Sequence, residues 1–317
     1  MYYICVFPKI YYIQFLIFCC KNIKKYSTKS ISKQNFGIFA SDMRTIITTI
    51  AAVLVIQFCS EAQTIKWEKV DEGLYYAETD APVKSDVNDS KITVLKIDPS
   101  KYKFEIATAS QNKCNPKPLS EWCADKNLMA GVNATMFSVF NNRRANGYLR
   151  NYKHINNGKL KGGYGAMAVF NPKKGKKVPP FQIIDMSCTD WQSLKSSYNC
   201  FAQSIRMIDC NSQKVEWKAK PDMRSSMSVL AADNDGNALF IFTRSPYSAN
   251  QFSDMLLALP LNIKNAMYLD GGPESSFYLC HNGFEICKFG CYVTDTYERD
   301  DNDYYWNIPN IIGISKK

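Results

Sequence analysis

Apolar and polar residues alternate over 92–97 and again over 102–106, on either side of a Pro99-Ser100 turn. A period of two places successive side chains on opposite faces of a sheet, so the two runs predict a hairpin at the start of the folded region. Residues 119–127 read as a helix, and the apolar run 129–132 as a short buried strand delivering Asn133. Residues 166–170 and 181–186 read as two strands, joined by a lysine-rich loop at 173–177 that is a solvated tip. The runs 228–232 and 238–243 flank Asp233-Asn-Asp-Gly-Asn237, where Asp-Gly supplies the positive φ of a tight hairpin. Ser248 caps a helix over 249–259 that Pro260 stops. A strand then runs into Asp270, and a last one over 308–314 returns to the sheet. With no internal repeat and few helices among many hairpins, the pattern predicts an α+β fold, a single domain around a mixed, largely antiparallel sheet.

Residues 1–62 stand apart from this pattern. Met43-Arg44 precedes an apolar run over 46–58 and then Ser60-Glu61-Ala62, the charged start, short greasy middle and small-residue exit of a secretory signal. The run is shorter than the roughly 20 residues that cross a bilayer. Upstream, 1–42 is aromatic and apolar to Cys20, then basic from Lys21 to Lys33, and reads as an extension ahead of a true start at Met43. With Met1 as the start it would be an anchor with Lys21, Lys24 and Lys25 on the cytoplasmic side. The large Phe58 before Cys59 argues against lipoprotein processing. The expectation is an exported chain, secreted or periplasmic, cleaved near Ala62, with a lead-in over 63–91 and a domain over 92–316.

The formal charge is +10 for the whole chain, but from residue 63 onward 32 Lys/Arg face 27 Asp/Glu, leaving +5. The basic residues read as scattered rather than striped. Nucleic acid is therefore not an indicated partner, whereas a phosphate-bearing small substrate suits the sign. Eight cysteines remain in that part: Cys114, Cys123, Cys188, Cys200, Cys210, Cys280, Cys287 and Cys291. An even count in an exported chain predicts disulfides. Neighbours such as Cys114 with Cys123 and Cys188 with Cys200 are natural pairs, though spacing leaves the connectivity open. Cys280, His281, Cys287 and Cys291 have the residue types of a zinc site, in a spacing that matches no common finger.

The segment Asn265-Ala-Met-Tyr-Leu-Asp270-Gly271-Gly272-Pro273-Glu274-Ser275-Ser276 carries the most chemistry. Tyr268 and Leu269 are the last apolar residues of a strand, and Asp270 ends it at two glycines whose backbone can approach a ligand. Glu274, Ser275 and Ser276 add a second carboxylate and two hydroxyls. Read blandly, Asp270 only accepts local hydrogen bonds in a turn. With two histidines in the chain, His154 and His281, neither in a nucleophile context, a serine or cysteine triad has little support. No glycine-rich phosphate loop is present, and the calcium-loop likeness at Asp233 fails because its twelfth position is Arg244. The remaining palette is carboxylate, amide and guanidinium: Asp270, Glu274, Asn133, Arg206, Arg224 and Arg244. That palette suits sugars and phosphates, and it calls for no cofactor.

Four motifs then occur in a telling order: Asn133-Ala-Thr-Met-Phe137, Gln203-Ser204, Arg224-Ser225-Ser226-Met227, and Leu269-Asp270-Gly271-Gly272 before Ser275-Ser276. In this order they resemble the phosphodiester glycosidase domains of the lysosomal uncovering enzyme and of many bacterial exported proteins, over about residues 92–316. The resemblance implies hydrolysis between a sugar's anomeric carbon and a phosphodiester oxygen, as in removal of N-acetylglucosamine from its 1-phosphodiester in a glycan, lipid or cell-wall polymer. Phosphate is a good leaving group, so strong acid help matters less than in ordinary glycoside hydrolysis and a guanidinium to hold the phosphate matters more. Carried over residue by residue, Arg224 is the phosphate clamp, with Arg206 and Arg244 as alternatives. Asp270 faces the developing oxocarbenium or activates water, and Glu274 is a second carboxylate. Asn133, which also reads as a glycosylation sequon with Thr135, binds a sugar hydroxyl or phosphate oxygen. Gly271, Gly272, Ser275 and Ser276 close the backbone on the substrate. The chain departs from the commonest pattern at Pro273-Glu274, in place of a further glycine, and at Thr243-Arg244-Ser245. Two other readings stay open: a non-catalytic glycan or exopolysaccharide-binding module on the same scaffold, and a metal-dependent phosphodiesterase using the acidic run Asp300-Asp301-Asn302-Asp303.

Overall fold

The computed structural model describes residues 64–138, 140–218 and 220–317, so the expectations for 1–62 lie outside the described residues. Residues Gln63–Lys317 form one compact unit. In chain order the strands are β1 (Glu68–Asp71), β2 (Leu74–Asp80), β3 (Lys91–Ile97), β4 (Tyr102–Thr108), β5 (Ala130–Asn133), β6 (Phe137–Ser138), β7 (Asn141–Ala145), β8 (Leu149–Asn151), β9 (His154–Asn157), β10 (Ala166–Pro172), β11 (Phe181–Asp185), β12 (Tyr198–Ile208), β13 (Arg224–Asp233), β14 (Ala238–Ser248), β15 (Ile263–Gly271), β16 (Ser276–His281), β17 (Phe284–Phe289), β18 (Tyr292–Val293), β19 (Tyr297–Glu298) and β20 (Asn310–Lys316). The helices are α1 (Ala109–Asn112), α2 (Leu119–Lys126), α3 (Trp191–Leu194) and α4 (Ala249–Ala258). The fold is α+β and mostly antiparallel sheet.

A large sheet runs β1-β2-β3-β14-β13-β15-β12-β10-β11, and a second sheet runs β17-β16-β5-β20-β4. Alternation along each strand sets the layers. Leu230, Phe240, Phe242, Met267 and Leu269 of the large sheet face Phe104, Ile106, Val132, Leu279 and Ile312 of the second in one shared core. The intervening positions, among them Val229, Ala231, Leu239 and Ile241, pack on the other side against Phe252, Met255 and Leu256 of α4. Trp122 and Cys123 of α2 cover the outer side of the second sheet beside Ala107 and Ile311.

Several expected elements form as read. α2 follows the helix expected at 119–127, and β10 pairs with β11 in register around Ala168↔Ile183. β13 pairs with β14 across the Asp-Gly turn, where Gly236 adopts φ 86. Ser248 Oγ accepts from the Gln251 amide at 3.2 Å, capping α4.

The hairpin expected over 92–106 does not form. β3 and β4 are both strands, but β3 lies between β2 and β14 in the large sheet while β4 pairs with β20 in the second. The Asp98 carbonyl accepts from the amides of Lys101 and Tyr102, and Asp98 Oδ1 accepts from the Ser100 amide. The resulting corner sends the chain across the core instead of back along β3. Leu95 and Ile97 thus meet Phe104 and Ile106 face to face between sheets rather than edge to edge. β2, unmarked in the sequence, takes the edge of β3 that β4 was expected to occupy.

The cysteine pairing also differs from the neighbour guess. Cys188 is bonded to Cys210, joining the end of β11 to the end of β12, while Cys114, Cys123 and Cys200 are free thiols. Cys200 points into the core and burial pushes its thiol up to about 11. The residues that had the types of a zinc site disperse: His281 pairs with Asp71 at 3.1 Å, Cys291 is buried beside Ser226, and Cys280 and Cys287 are exposed. Non-reducing peptide mapping should recover Cys188 linked to Cys210, and Cys200→Ala should leave that link intact. Cys188→Ser should lower stability by about 2–4 kcal/mol in denaturant titrations.

Candidate active site

Strand β15 owes its inward aim to its pairing with β13. The register runs Val229↔Tyr268 and then Ser228↔Asp270, so one residue is bulged at Leu269. A bulge of this kind re-aims the side chains beside it, and here it turns Asp270 at the rim of the sheet. Beyond Gly271 the chain makes a short 3-10 turn at Gly272–Glu274 and enters β16 of the second sheet. Gly272 has φ 70, the left-handed region that favours glycine. A Cβ on Gly271 would meet the Tyr268 hydroxyl, Ser225 Oγ and the Ser226 carbonyl.

The crossing is pinned from both sheets. The Ser276 amide donates to Asn133 Oδ1 of β5 at 3.0 Å and to Ser228 Oγ of β13 at 3.1 Å. Ser275 Oγ donates to the Gly272 carbonyl at 2.8 Å, and Ser276 Oγ to the Glu274 carbonyl at 3.2 Å. Asn133, Ser275 and Ser276 are buried and hold the loop in shape. Asn133 Nδ2 has no partner among the described residues.

Asp270 and Glu274 come together at this crossing. Asp270 Oδ1 accepts from the Gly271 amide at 2.9 Å, which favours the ionised form. Burial opposes it more strongly, and the charge of Glu274 adds to that, so the Asp270 carboxyl holds its proton well above the usual carboxylate range. Burial also raises Glu274. No cation contributes to either shift. The charge of one therefore disfavours ionisation of the other.

Aromatic side chains wall the pair. Tyr268, beside Ser225, and Tyr164 both feel the charge of Asp270, and burial lifts the Tyr164 phenol to about 12. Trp217 meets Tyr268 edge to face at 5.3 Å between ring centres. Gln203 holds Tyr164 in place: its Nε2 donates to the carbonyls of Lys161 and Tyr164 at 3.1 and 2.8 Å, and its Oε1 accepts from the amides of Tyr148 and Lys161. Asn146 reaches the same Tyr164 from the other side. Sequence reasoning missed these walls, although an aromatic set among glycines, Gly162-Gly163-Tyr164-Gly165, is a signal of a side chain presented by a loop.

The three arginines divide. Arg244 donates to Asn88 Oδ1 and to the carbonyls of Phe289, Asp300 and Asn302, so it staples the 289–302 segment instead of facing Asp270. Arg206 is ion-paired with the buried Asp185 and bonded to Ser187, next to Gly165. Arg224 opens β13 upstream of the Met227–Gly271 pair, and its guanidinium meets Asp86 at 2.7 Å. Both partners of that ion pair are solvent-exposed, at 37% and 69% of the side chain. Pairs of this kind contribute little and exchange readily. The acidic run 300–303 does not converge either: Asp301 pairs with Arg299, and Asn302 bonds the carbonyls of Gly290 and Tyr304. Among the described residues one group of three ligand atoms lies within reach of a shared ion, Asp185 with Cys188 and Cys210, and its two sulfurs are joined to each other.

A family model described as phosphodiester glycosidase matches residues 126–315, more than half of the chain. Among solved structures, a hypothetical protein from Synechocystis aligns with TM-score 0.51 and 13% identity over 81% of this chain and 65% of its own. The catalytic domain of zebrafish N-acetylglucosamine-1-phosphodiester alpha-N-acetylglucosaminidase, auto-inhibited by its pro-peptide, aligns with TM-score 0.50 and 11% identity over 80% of this chain and 88% of its own. At that identity these likenesses show a shared fold. No curated protein matches the chain.

Two outcomes follow from the burial of the pair. A carboxyl whose proton affinity is raised by folding stabilises the protein only below its unfolded value, and that contribution is lost as pH rises toward the folded value. Asp270→Asn should therefore melt higher than wild type at neutral pH, the gap shrinking to nothing as pH falls into the ordinary carboxylate range. For a chain of this size each kcal/mol recovered is about 2–4 °C in Tm. Gly271→Ala should lose about 1–3 kcal/mol in denaturant titrations, because its methyl has no room beside Tyr268 and Ser225.

Proposed function

Because this chain belongs to the phosphodiester glycosidase family, we propose that it is a hydrolase that cleaves the bond between the anomeric carbon of a sugar and a phosphodiester oxygen, with an N-acetylglucosamine-1-phosphodiester as the model substrate. The observation that carries this reading is the Asp270–Glu274 carboxyl pair, held partly buried beside Tyr164 and Tyr268 where the chain crosses between sheets. Flat faces such as Tyr164 and Tyr268 suit the apolar side of a sugar ring, and the carboxyl pair suits its reacting carbon.

In this reading water attacks the anomeric carbon, the carbon–oxygen bond to phosphorus breaks, and the phosphate leaves as a monoester anion. Asp270 in its ionised form takes the proton of the attacking water, and its raised proton affinity makes it a stronger base than a solvated aspartate. Its charge, in a desolvated site, also opposes the positive charge that develops on the ring. Glu274 shares the second proton, which limits repulsion between the pair and an anionic substrate. Arg224 receives the phosphate by exchanging Asp86 for it. Asn133, Ser275 and Ser276 hold the loop, and Gly271 and Gly272 let substrate approach the backbone. Arg206 and Arg244 serve the fold.

Export is part of the proposal. The Cys188–Cys210 bond fits an oxidising compartment, and among the described residues no helix is long and apolar enough to cross a membrane. The signal-like segment ending near Ala62 would direct the chain there.

Release of free N-acetylglucosamine from a panel of sugar-1-phosphodiesters tests the reading. Wild type should release it, and Asp270→Asn should lower kcat by about a hundred- to ten-thousandfold while remaining folded. Arg224→Ala should raise KM about tenfold or more, and Asp86→Ala should lower it. Binding of a sugar phosphate by folded wild type without any release would replace the hydrolase with a glycan-binding module.

A further inference from the structure

Residues 126–184 contain eleven Lys/Arg and no Asp or Glu, which corrects the reading of the basic residues as scattered. The middle of this span forms the hairpins β6–β7 and β8–β9. With α1 they border an open surface depression of about 580 Å³ lined by Ser110, Lys113, Asn141, Arg143, Arg144 and Asn156. Every lining side chain is polar, three are cationic, and none of the three cations has a carboxylate partner among the described residues.

The depression is built rather than splayed. Asn156 Nδ2 donates to Ser110 Oγ at 2.7 Å and to the Arg143 carbonyl at 2.6 Å, and Ser110 Oγ lies 2.9 Å from His154 Nε2. Arg143 is steadied by Asn115 Oδ1 at 2.7 Å and Arg144 by Asn157 Oδ1 at 3.1 Å. A guanidinium has five donors, so each keeps several for a ligand. A chain of hydrogen bonds links the hairpins to the Tyr164 loop. Asn157 Nδ2 donates to the carbonyls of Ala145 and Asn146 at 2.8 and 3.3 Å, and Asn146 is the residue that reaches Tyr164.

The geometry points to a second subsite that binds the neighbouring phosphate and sugar of a polymeric substrate, a chain of glycosyl units joined through phosphodiesters. Guanidinium and ammonium groups without a carboxylate partner recognise the phosphate, and the Asn141 amide recognises a ring hydroxyl, while Asn156 is spent on holding the hairpins together. A nucleic acid would call for aromatic faces to stack its bases, and no lining residue is aromatic. A membrane surface is the competing occupant, because Phe140, Ile155 and Leu160 stand exposed on or beside the same hairpins; the polar lining of the depression itself favours the sugar phosphate, and the vesicle arm of the test decides between them. The inference rests on the sugar-phosphodiester reading above for the identity of its ligand.

Binding and turnover by wild type and a Lys113→Ala/Arg143→Ala double variant test it, using poly(N-acetylglucosamine 1-phosphate) and a one-repeat sugar-1-phosphodiester. The double variant should bind the polymer about tenfold more weakly, with a shallower salt dependence, and should turn over the one-repeat substrate as wild type does. Arg143→Lys, which keeps the charge, should retain most of the polymer affinity. The same polymer affinity should persist in Asp270→Asn, so failure of the hydrolase reading and failure of this subsite are separable. Unchanged polymer affinity in the folded double variant would overturn the proposal. So would equal or tighter binding of wild type to single-stranded DNA or to phosphatidylglycerol vesicles.

Discussion

The Ser276 amide is shared between Asn133 on one sheet and Ser228 on the other, and this single donor fixes the place where the two sheets meet. Everything in the candidate site depends on that seam. The backbone leaves β15 at Gly271 and has to join β16 at Ser276, and it does so in a 3-10 turn because the pinned amide allows no longer path. Glu274 lies in that turn and Asp270 at its entry, so the seam forces two carboxyls into one pocket. Gly272, with its positive φ, and Gly290, whose Cβ would meet the Gly272 carbonyl and Ser275 Oγ, are the backbone terms of the same constraint.

The seam is costly. It holds the Asp270–Glu274 pair partly out of water with one amide for compensation and no cation. Buried ionisable groups kept without a partner weaken a fold, and they persist where the surroundings over-determine them. Here the surroundings are the shared core, with Phe104 stacked on Phe181 at 4.9 Å and tilted against Phe170 at 5.6 Å. The arginines that a sugar-phosphate palette appeared to supply are mostly spent on this scaffold. Arg244 binds the carbonyl of Phe289 at the end of β17 and those of Asp300 and Asn302 in the loop after β19, and Arg206 neutralises Asp185. Arg224 alone keeps an exchangeable partner.

Charge is partitioned along the chain as well as in space. Acids are absent from 126–184, so the strands and loops that wall the pocket on the Tyr164 side carry only positive or neutral groups, while the two carboxyls arrive from β15 and its turn. In the proposed reaction an anionic substrate would meet a cationic approach before it reaches the carboxyl pair. The mild net charge of the chain conceals this division.

Local pattern determined a good deal by itself. The strand runs of β10, β11, β13 and β14, the Asp-Gly turn, the Ser248 cap and the glycines after Asp270 depend on residues close in the chain, and they formed as read. The ordered motifs also marked the family. The tertiary structure decided what depends on distant partners. Period two says that 92–97 and 102–106 are strands but not which edges they join, and the Asp98 corner and the competing edge of β2 placed them in different sheets. Spacing proposed Cys200 for Cys188, yet alternation along β12 turns Cys200 into the core and leaves Cys210 at the strand end to meet it. An arginine's role is set by whichever acceptor the fold brings to it, and Tyr164, remote from Asp270 in sequence, becomes its neighbour only because Gln203 anchors its loop.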